Sequence, residues 1–227
     1  KKKFWKYIMT KELKKRIFTS LCLIILLGLV FFYSYILIIS LIIITIISWI
    51  EFQGLFIKIL KKKKYKSKIL ILFIKGIILS YLSFFSFLIF SAITYDETLL
   101  IIYLFSICIF SDIGGFVFGK TFKGKKLTKI SPNKTISGLI GSFILSLVLV
   151  PFFYFYLKNV SITDLIIVSI VVSFFCQLGD LFVSYLKRKA KVKDTGDILP
   201  GHGGILDRID GILFAVPVGL MIISILL

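Results

Sequence analysis

The sequence has few of the residues that build disulfide frameworks and soft-metal sites. Its 227 residues include three cysteines and a single histidine, and no two cysteines have CxxC or metal-site spacing. Cys22, Cys108 and Cys176 each lie in an apolar stretch, so we expect small buried side chains rather than disulfide partners. One histidine among so many lysines argues against a zinc site.

Acidic residues are scarce as well, with 11 Asp and Glu against 29 Lys and Arg and a formal net charge of +18. A basic balance of this kind suits either nucleic-acid binding or membrane topology. The basic residues cluster between apolar segments, which favours topology, and we expect no nucleic-acid partner. The first apolar run is not followed by an A-x-A-like site, so it is not typical of a cleavable signal peptide.

Apolar residues, by contrast, are abundant. They make up 58% of the chain, and the mean hydropathy of +1.02 is far above that of soluble domains. A membrane span takes ~20 mostly apolar residues, so the chain holds about seven spans and little else. We therefore predict an all-α, polytopic membrane helix bundle with about seven transmembrane helices, forming one integral-membrane domain over residues 1–227.

The predicted spans follow the uncharged runs. The run 17–50 is too long for one helix, and a turn near Tyr33-Ser34-Tyr35 divides it into two short spans. The remaining five spans cover residues 69–93, 98–118, 136–157, 164–185 and 209–227. Pro151 falls inside the span 136–157.

Basic residues fall on one side of this arrangement. Residues 1–16 and three loops at 51–68, 119–135 and 186–208 hold 27 of the 29 Lys and Arg. The positive-inside rule then makes these loops and the N-terminus cytoplasmic and puts the C-terminus outside. Under this interpretation the Lys61–Lys64 run is a topology signal, with attraction of anionic lipid headgroups as the open alternative.

Lys75, Asp112 and Asp180 fall within predicted spans and away from their first residues, where a charge is costly and usually functional. Lys75 lies near the cytoplasmic end of its span and is expected to snorkel toward the surface. Asp112 and Asp180 adjoin glycines near the cytoplasmic ends of their helices, and a short acid cannot snorkel far. Each needs a partner, and both a metal ion and a basic side chain in a buried ion pair are open alternatives.

The densest polar region is 177–211. At helical spacing, Asp180, Ser184 and Lys187 share one face. Downstream, glycines on both sides of His202 let the backbone approach a ligand closely and present its N–H groups, which suits phosphate oxygens.

Asp207 and Asp210 stand three residues apart with Arg208 between them, where the dipole of the last helix favours acids. Together with Asp180 they are predicted to converge at the cytoplasmic membrane surface. Carboxylate oxygens with few sulfur or nitrogen ligands suit Mg²⁺. Helix capping is the alternative role for Asp207.

A second polar loop, 119–138, combines lysines, hydroxyls and glycines before a helix start, which are the ingredients of a phosphate site. The spacing of glycine and lysine in this loop is not that of a Walker A motif. A basic cytoplasmic loop explains most of the same pattern.

The polar positions after residue 183 resemble the signature of phosphatidate cytidylyltransferases, also called CDP-diacylglycerol synthases. The matching positions are Ser184, Lys187, Arg188, Lys193, Asp194, Gly196, Leu199, Pro200, His202, Gly203, Gly204, Asp207, Arg208 and Asp210. Upstream positions also resemble the family, namely Glu51, Phe52, Asp112, Gly115, Gly119, Lys120, Ser131, Pro132, Lys134, Thr135, Gly138 and Gly141. The similarity is strongest over 105–214, and Phe116 departs from the Tyr that the family often has.

The resemblance implies transfer of the cytidylyl group of CTP to phosphatidate, giving CDP-diacylglycerol and pyrophosphate in phospholipid biosynthesis. It implies Mg²⁺ held by Asp180, Asp207 and Asp210, with Lys187 as a fixed catalytic cation. The residues implied for substrate binding are Asp112, Lys120, Lys134, Ser184, Arg188, His202, Gly203, Gly204 and Arg208. The expected location is the plasma membrane with the active site at the cytoplasmic face, and a homodimer is a further expectation.

Three other functions fit parts of the pattern. A CTP-using enzyme acting on another lipid, such as an unsaturated archaeal ether-lipid phosphate or a polyprenol, would carry the same motifs. A transporter with Asp112 and Asp180 on its ion path would need acids near the bilayer midplane, whereas the polar residues here gather at one face. An inactive scaffold is disfavoured because the acids are intact.

Overall fold

The chain is helical almost throughout. The computed structural model describes residues 18–226 except 20, 23–24, 27, 31, 63–67, 96, 129–130, 132–133, 158–159 and 200–202. Its helices are α1 (Ser34–Lys62), α2 (Lys68–Thr94), α3 (Thr98–Phe122), α4 (Ile136–Leu147), α5 (Leu149–Tyr156), α6 (Ile162–Ala190) and α7 (Leu206–Leu226). The only pairings of β type among these described residues are two isolated bridges, Lys126 with Thr135 and Leu199 with Gly203. The all-α prediction is therefore confirmed.

Six segments of the described chain are long and apolar enough to cross a membrane, with α4 and α5 together forming one of them. They correspond to six of the seven predicted spans, and the chain is a multi-pass membrane protein. The remaining span, 17–33, falls partly outside the described residues and stays a prediction. Tyr33, where the dividing turn was expected, is the non-helical residue before α1.

Helices α1, α3 and α6 run further at their C-terminal ends than the charge pattern predicted, α3 to Phe122 instead of residue 118. Helix α1 continues beyond Ile50 to Lys62, so Glu51 lies within a helix rather than in a loop. The reason is that residues 51–60 keep an apolar helical face, on which Phe52 and Leu55 are buried. Helix α6 likewise extends to Ala190, since long basic side chains reach water from a helix end.

The span 136–157 is interrupted in its middle. Helix α4 ends at Leu147 and α5 begins at Leu149. Pro151 has no N–H to donate to the carbonyl of Leu147, four residues earlier, so the continuous helical ladder is broken there.

The chain forms two compact units. The first comprises residues 1–86 and 189–208, and the second comprises residues 87–188 and 209–227. Leu55 and Leu82 are fully buried in the first unit. In the second, the fully buried Tyr103 donates a hydrogen bond from its hydroxyl to the carbonyl of Leu165 at 2.9 Å. The prediction of a single domain stays a prediction.

Candidate active site

Glycines bring helices α3 and α4 of the second unit into close contact, and the predicted polar loop 119–138 is shorter than expected because α3 runs to Phe122 and α4 begins at Ile136. A Cβ on Gly138 would lie 2.7 Å from the carbonyl oxygen of Gly115, and one on Gly141 would lie 2.8 Å from that of Gly114. A Cβ on Gly119 would lie 3.1 Å from the hydroxyl of Thr135. Small residues let membrane helices approach backbone to backbone. These glycines therefore fix how α3 and α4 pack.

Lys134 is held at the start of α4 by its backbone. Its carbonyl accepts from Leu127 N–H at 2.8 Å, and its N–H donates to the carbonyl of Ser131 at 3.1 Å. The next residue, Thr135, caps α4 by accepting the Gly138 N–H at 3.1 Å. The position of the Lys134 side chain is therefore set by the loop and the helix cap together.

The Lys134 ammonium joins this loop to helix α6. Its Nζ lies 2.6 Å from Asp180 Oδ2, and it donates a hydrogen bond to Gln177 Oε1 at 3.0 Å. The two charged side chains are 20% and 31% exposed, so the ion pair is only partly solvated. Of the two partners that the sequence allowed for Asp180, the described residues supply the basic side chain.

Gln177 carries the contacts onward to helix α3. Its Nε2 donates to Ser111 Oγ at 3.2 Å and to Asp112 Oδ1 at 3.4 Å. The buried Ser111 hydroxyl lies 2.9 Å from that of Ser173. Asp112 and Asp180 are therefore linked through the Gln177 amide and the Lys134 ammonium. Sequence reasoning did not include Gln177 among the site residues, although a glutamine in an apolar run three residues before Asp180 was the available signal.

Helices α6 and α7 meet beside two of the predicted acids. A Cβ on Gly179 would contact the backbone oxygen of Asp210 and would lie 3.1 Å from Gly211 Cα. A Cβ on Gly211 would in turn lie 2.6 Å from Cys176 Sγ. Asp180 and Asp210 thus flank a close helix contact, and each carboxylate acts electrostatically on the other.

The Asp210 carboxylate lies near two further charged side chains, those of Lys187 and Asp112. Ser184 donates to Asp180 Oδ1 at 3.2 Å, which confirms that these two residues share a face of α6. The second unit therefore gathers three acids, Asp112, Asp180 and Asp210, with two lysines.

A second cluster, in the first unit, is centred on Glu51. Its side chain is 5% exposed. Oε1 accepts the Ile205 N–H at 3.1 Å, and Oε2 accepts the Leu206 N–H at 2.9 Å and the Thr195 hydroxyl at 2.7 Å. A Cβ on Gly196 would lie 2.7 Å from Oε1, and one on Gly204 would also collide with this carboxylate. Both glycines therefore leave room for Glu51.

Asp207 belongs to the same Glu51 cluster. Its Oδ2 accepts from the N–H of Thr195 at 2.8 Å, from the Thr195 hydroxyl at 3.0 Å and from the Gly204 N–H at 3.1 Å. The last bond satisfies the N–H of Gly204, two residues before α7, so Asp207 stabilises the segment that leads into this helix. A capping role for Asp207 stays a prediction. The Thr195 hydroxyl has one proton and two carboxylates within reach, so it bridges Glu51 and Asp207.

The remaining predicted binding residues are spread over both units. In the second unit, Lys120 Nζ lies 5.5 Å from the ring centroid of Phe116, and Arg188 is exposed. In the first, Arg208 is exposed and Gly203 has a positive φ of 81°, a conformation that favours glycine. His202 lies outside the described residues.

The three predicted metal ligands are divided between the units. Asp180 and Asp210 belong to the second and Asp207 to the first. Within the described part of the chain, no group of three or more Asp, Glu, His or Cys side chains lies close enough together to hold a metal ion. The convergence of the three aspartates therefore stays a prediction.

Comparison with known proteins supports the same family that the motifs resemble. The cytidylyltransferase family matches residues 3–226. Phosphatidate cytidylyltransferases of Staphylococcus haemolyticus (strain JCSC1435) and Staphylococcus aureus (strain COL) are 45% identical over 133 residues and 47% identical over 119 residues. The enzyme of that name from Rickettsia typhi (strain ATCC VR-144 / Wilmington) is 42% identical over 136 residues.

These alignments cover part of each protein. They take in 58%, 52% and 55% of this chain and 51%, 46% and 59% of the respective relatives. The chain thus spans about half the length of the curated relatives it matches. The family match, however, extends over nearly all of the sequence. This chain belongs to the cytidylyltransferase family.

Proposed function

We propose that this chain transfers the cytidylyl group of CTP to phosphatidate, producing CDP-diacylglycerol and pyrophosphate for phospholipid synthesis. The observation that carries the proposal is the Lys134–Asp180 ion pair. It joins two signature stretches, the loop before α4 and helix α6, at the polar end of apolar helices. Relatives that are 45% and 47% identical over part of this chain are named for this activity.

In this reaction, a phosphate oxygen of phosphatidate attacks the α-phosphorus of CTP. The bond between the α-phosphorus and its bridging oxygen to the β-phosphorus breaks, and pyrophosphate leaves with the bonding electrons. Phosphoryl-type transfer needs little covalent help from protein, so catalysis rests on positioning and charge neutralisation. Lys134 and Lys187 supply fixed positive charge, with Lys120 and Arg188 as further phosphate contacts.

The acids suit a hard divalent cation. Asp112, Asp180 and Asp210 offer only oxygen donors, the chemistry that Mg²⁺ prefers. Their charges repel one another, and Asp180 already attracts a cation, the Lys134 ammonium. We propose Asp180 and Asp210, with Asp207, as the residues that hold Mg²⁺. When bound, the ion neutralises charge on the nucleotide phosphates.

We place the reaction at the cytoplasmic face of the plasma membrane. The basic loops are the cytoplasmic ones by the positive-inside rule, and CTP is a cytoplasmic solute. Phosphatidate lies in the leaflet, so an interfacial site serves both substrates. A homodimer remains an expectation without residue support.

The direct test is conversion of radiolabelled CTP by the purified chain with phosphatidate and Mg²⁺. Asp180→Asn is expected to lower turnover about 10²–10³-fold, as for loss of other preorganised electrostatic groups. Asp164→Asn is the matched control, because Asp164 is a partly exposed acid at the opposite end of α6. If folded wild type makes no CDP-diacylglycerol but forms product from another lipid phosphate, that lipid is the substrate and phosphatidate is not.

A further inference from the structure

Gln177 lies at the centre of the polar contacts of the second unit, yet neither the motifs nor the proposed chemistry gives it a role. Its side chain is 6% exposed within α6. A buried amide is costly unless its polar atoms are hydrogen-bonded, and here both ends have partners. Oε1 accepts from Lys134 Nζ at 3.0 Å, and Nε2 donates to Ser111 Oγ at 3.2 Å and to Asp112 Oδ1 at 3.4 Å.

The two acceptors on α3 fix the orientation of this amide. Only its NH₂ end can donate to the Ser111 hydroxyl and the Asp112 carboxylate, and only its carbonyl end can accept from an ammonium. A flipped amide would place NH₂ against the Lys134 ammonium and a carbonyl oxygen against a carboxylate. Gln177 therefore presents its carbonyl oxygen to Lys134 in one defined orientation.

This carbonyl oxygen determines the direction of the Lys134 ammonium, which has three N–H donors on a flexible stem. The ion pair with Asp180 by itself leaves the end of the lysine side chain free to turn about the line from Nζ to Oδ2. Because Gln177 Oε1 engages a second N–H, the direction of the third is also determined. Among the described residues, Asp180 and Gln177 supply the oxygens that Nζ contacts. The third N–H is therefore available to an oxygen of a substrate phosphate.

We propose that Gln177 is a positioning residue for cytidylyl transfer. It acts through Lys134, by directing the third N–H of the ammonium toward the reacting phosphate, and does not itself contact the reacting atoms. This role rests on the proposed function, in which Lys134 supplies fixed positive charge. A preorganised donor is effective because it needs no reorientation during the reaction, and a misplacement of ~1 Å can cost about 10²-fold in rate.

Four variants separate the acceptor from the bulk of the side chain. Gln177→Met and Gln177→Leu each remove both polar ends and keep an apolar side chain of similar volume, so either one that folds suffices. Gln177→Glu keeps an oxygen for Lys134. Ser169→Ala is the matched control, because it removes another buried polar contact between α6 and α3, the one to the Tyr103 hydroxyl at 2.7 Å. That hydroxyl keeps its bond to the Leu165 carbonyl.

The first measurement needs no turnover. Reductive methylation of the purified chain, analysed by mass spectrometry, gives the reaction rate of Lys134 relative to the exposed Lys125 in the same sample. An amine reacts only in its neutral form, so loss of a bond to the ammonium should make Lys134 react about tenfold faster in Gln177→Met. Gln177→Glu and Ser169→Ala should react no faster than wild type. An unchanged rate in Gln177→Met would overturn the proposal, and so would an equal rise in Gln177→Glu or Ser169→Ala.

The second measurement is a double-mutant cycle on CTP turnover. Gln177→Met is expected to lower turnover about 10–10²-fold in the wild-type background. In the Lys134→Met background it should cost less than about twofold, because no ammonium is left to direct. Equal losses in both backgrounds would show a structural role and overturn the proposal. Folded wild type that makes no CDP-diacylglycerol would instead reject the proposed function, and the methylation rates would still decide whether Gln177 positions Lys134.

Discussion

The Lys134 ammonium lies 2.6 Å from Asp180 Oδ2, so a cation from the loop before α4 neutralises an acid on α6. The same ammonium donates to Gln177, whose amide reaches Asp112. One lysine therefore organises two of the acids of the second unit, Asp180 directly and Asp112 through Gln177. Because the pair is only partly solvated, its geometry is better defined than that of an exposed surface ion pair.

Replacing Lys134 tests this arrangement. Lys134→Met removes the charge that faces Asp180, and we expect a loss of about 10²–10³-fold in CTP turnover, typical of a preorganised electrostatic group. The measurement is radiolabelled CDP-diacylglycerol formation. Lys125→Met is the control, since Lys125 is an exposed lysine in the same loop. Equal activities of the two variants would remove Lys134 from the site.

Glu51 is expected to determine the stability of the start of α7. Glu51→Gln keeps the shape but replaces one acceptor oxygen by a donor that faces N–H or O–H groups. Local opening should become easier by about 1.5–3 kcal/mol, the usual contribution of a hydrogen bond to a charged group. Hydrogen exchange of the Ile205 and Leu206 amides measures this. Glu97→Gln, an exposed acid before α3, should leave their exchange unchanged.

The Thr195 hydroxyl is predicted to stabilise the protein by donating its proton to the two neighbouring carboxylates. Thr195→Val leaves the Glu51 and Asp207 carboxylates without the donor they share, whereas Thr195→Ser retains it. We expect the Val variant to lose about 1.5–3 kcal/mol of stability, the usual contribution of a hydrogen bond to a charged group, and the Ser variant to stay near wild type. Thermal unfolding in detergent distinguishes them. Similar losses in both variants would point to packing of the Thr methyl group instead.

The glycine contacts between α3 and α4 are expected to be intolerant of a methyl group. Gly141→Ala would place a Cβ against Phe118 and the Gly114 carbonyl, and overpacking of this kind costs about 1–3 kcal/mol. Thermal unfolding can be followed through the buried Cys108 and Cys176, which react with a fluorogenic maleimide only after opening, in a Cys22→Ala background.

Gly76 provides the control for that substitution. A Cβ there meets nothing within 4 Å, so Gly76→Ala is expected to be neutral or slightly stabilising in its helix. Indistinguishable unfolding temperatures for Gly141→Ala and Gly76→Ala would contradict the packing role of the α3–α4 contact.

Removal of divalent metal ions tests whether the acids act as metal ligands. We expect chelation by EDTA to abolish cytidylyl transfer and added Mg²⁺ to restore it, because clustered carboxylates bind hard cations. Asp210→Asn should raise the Mg²⁺ concentration that gives half-maximal turnover, and the exposed Asp197→Asn should not. Full activity of wild type in excess EDTA would refute the metal proposal.

Much of the site was visible in the sequence, and the omissions have a common cause. Asp180, Ser184 and Lys187 follow from helical spacing within one segment, and the Ser184 contact confirms it. Glu51 was noticed only as part of a family resemblance and was placed in a loop, because the lysine run after it obscured the apolar face of α1. Gln177 was omitted because its partners lie on two other elements.

The sequence by itself determined the all-α class, six of the spans and the segments that carry the family motifs. These follow from local composition, since apolar runs of sufficient length form membrane helices whatever their neighbours are. Only the tertiary structure decided that Lys134 faces Asp180, and that Glu51 receives the Ile205 N–H from 154 residues away. Such contacts depend on how each helix is rotated and where helices cross. That is decided by the glycine contacts between helices, which no single segment contains.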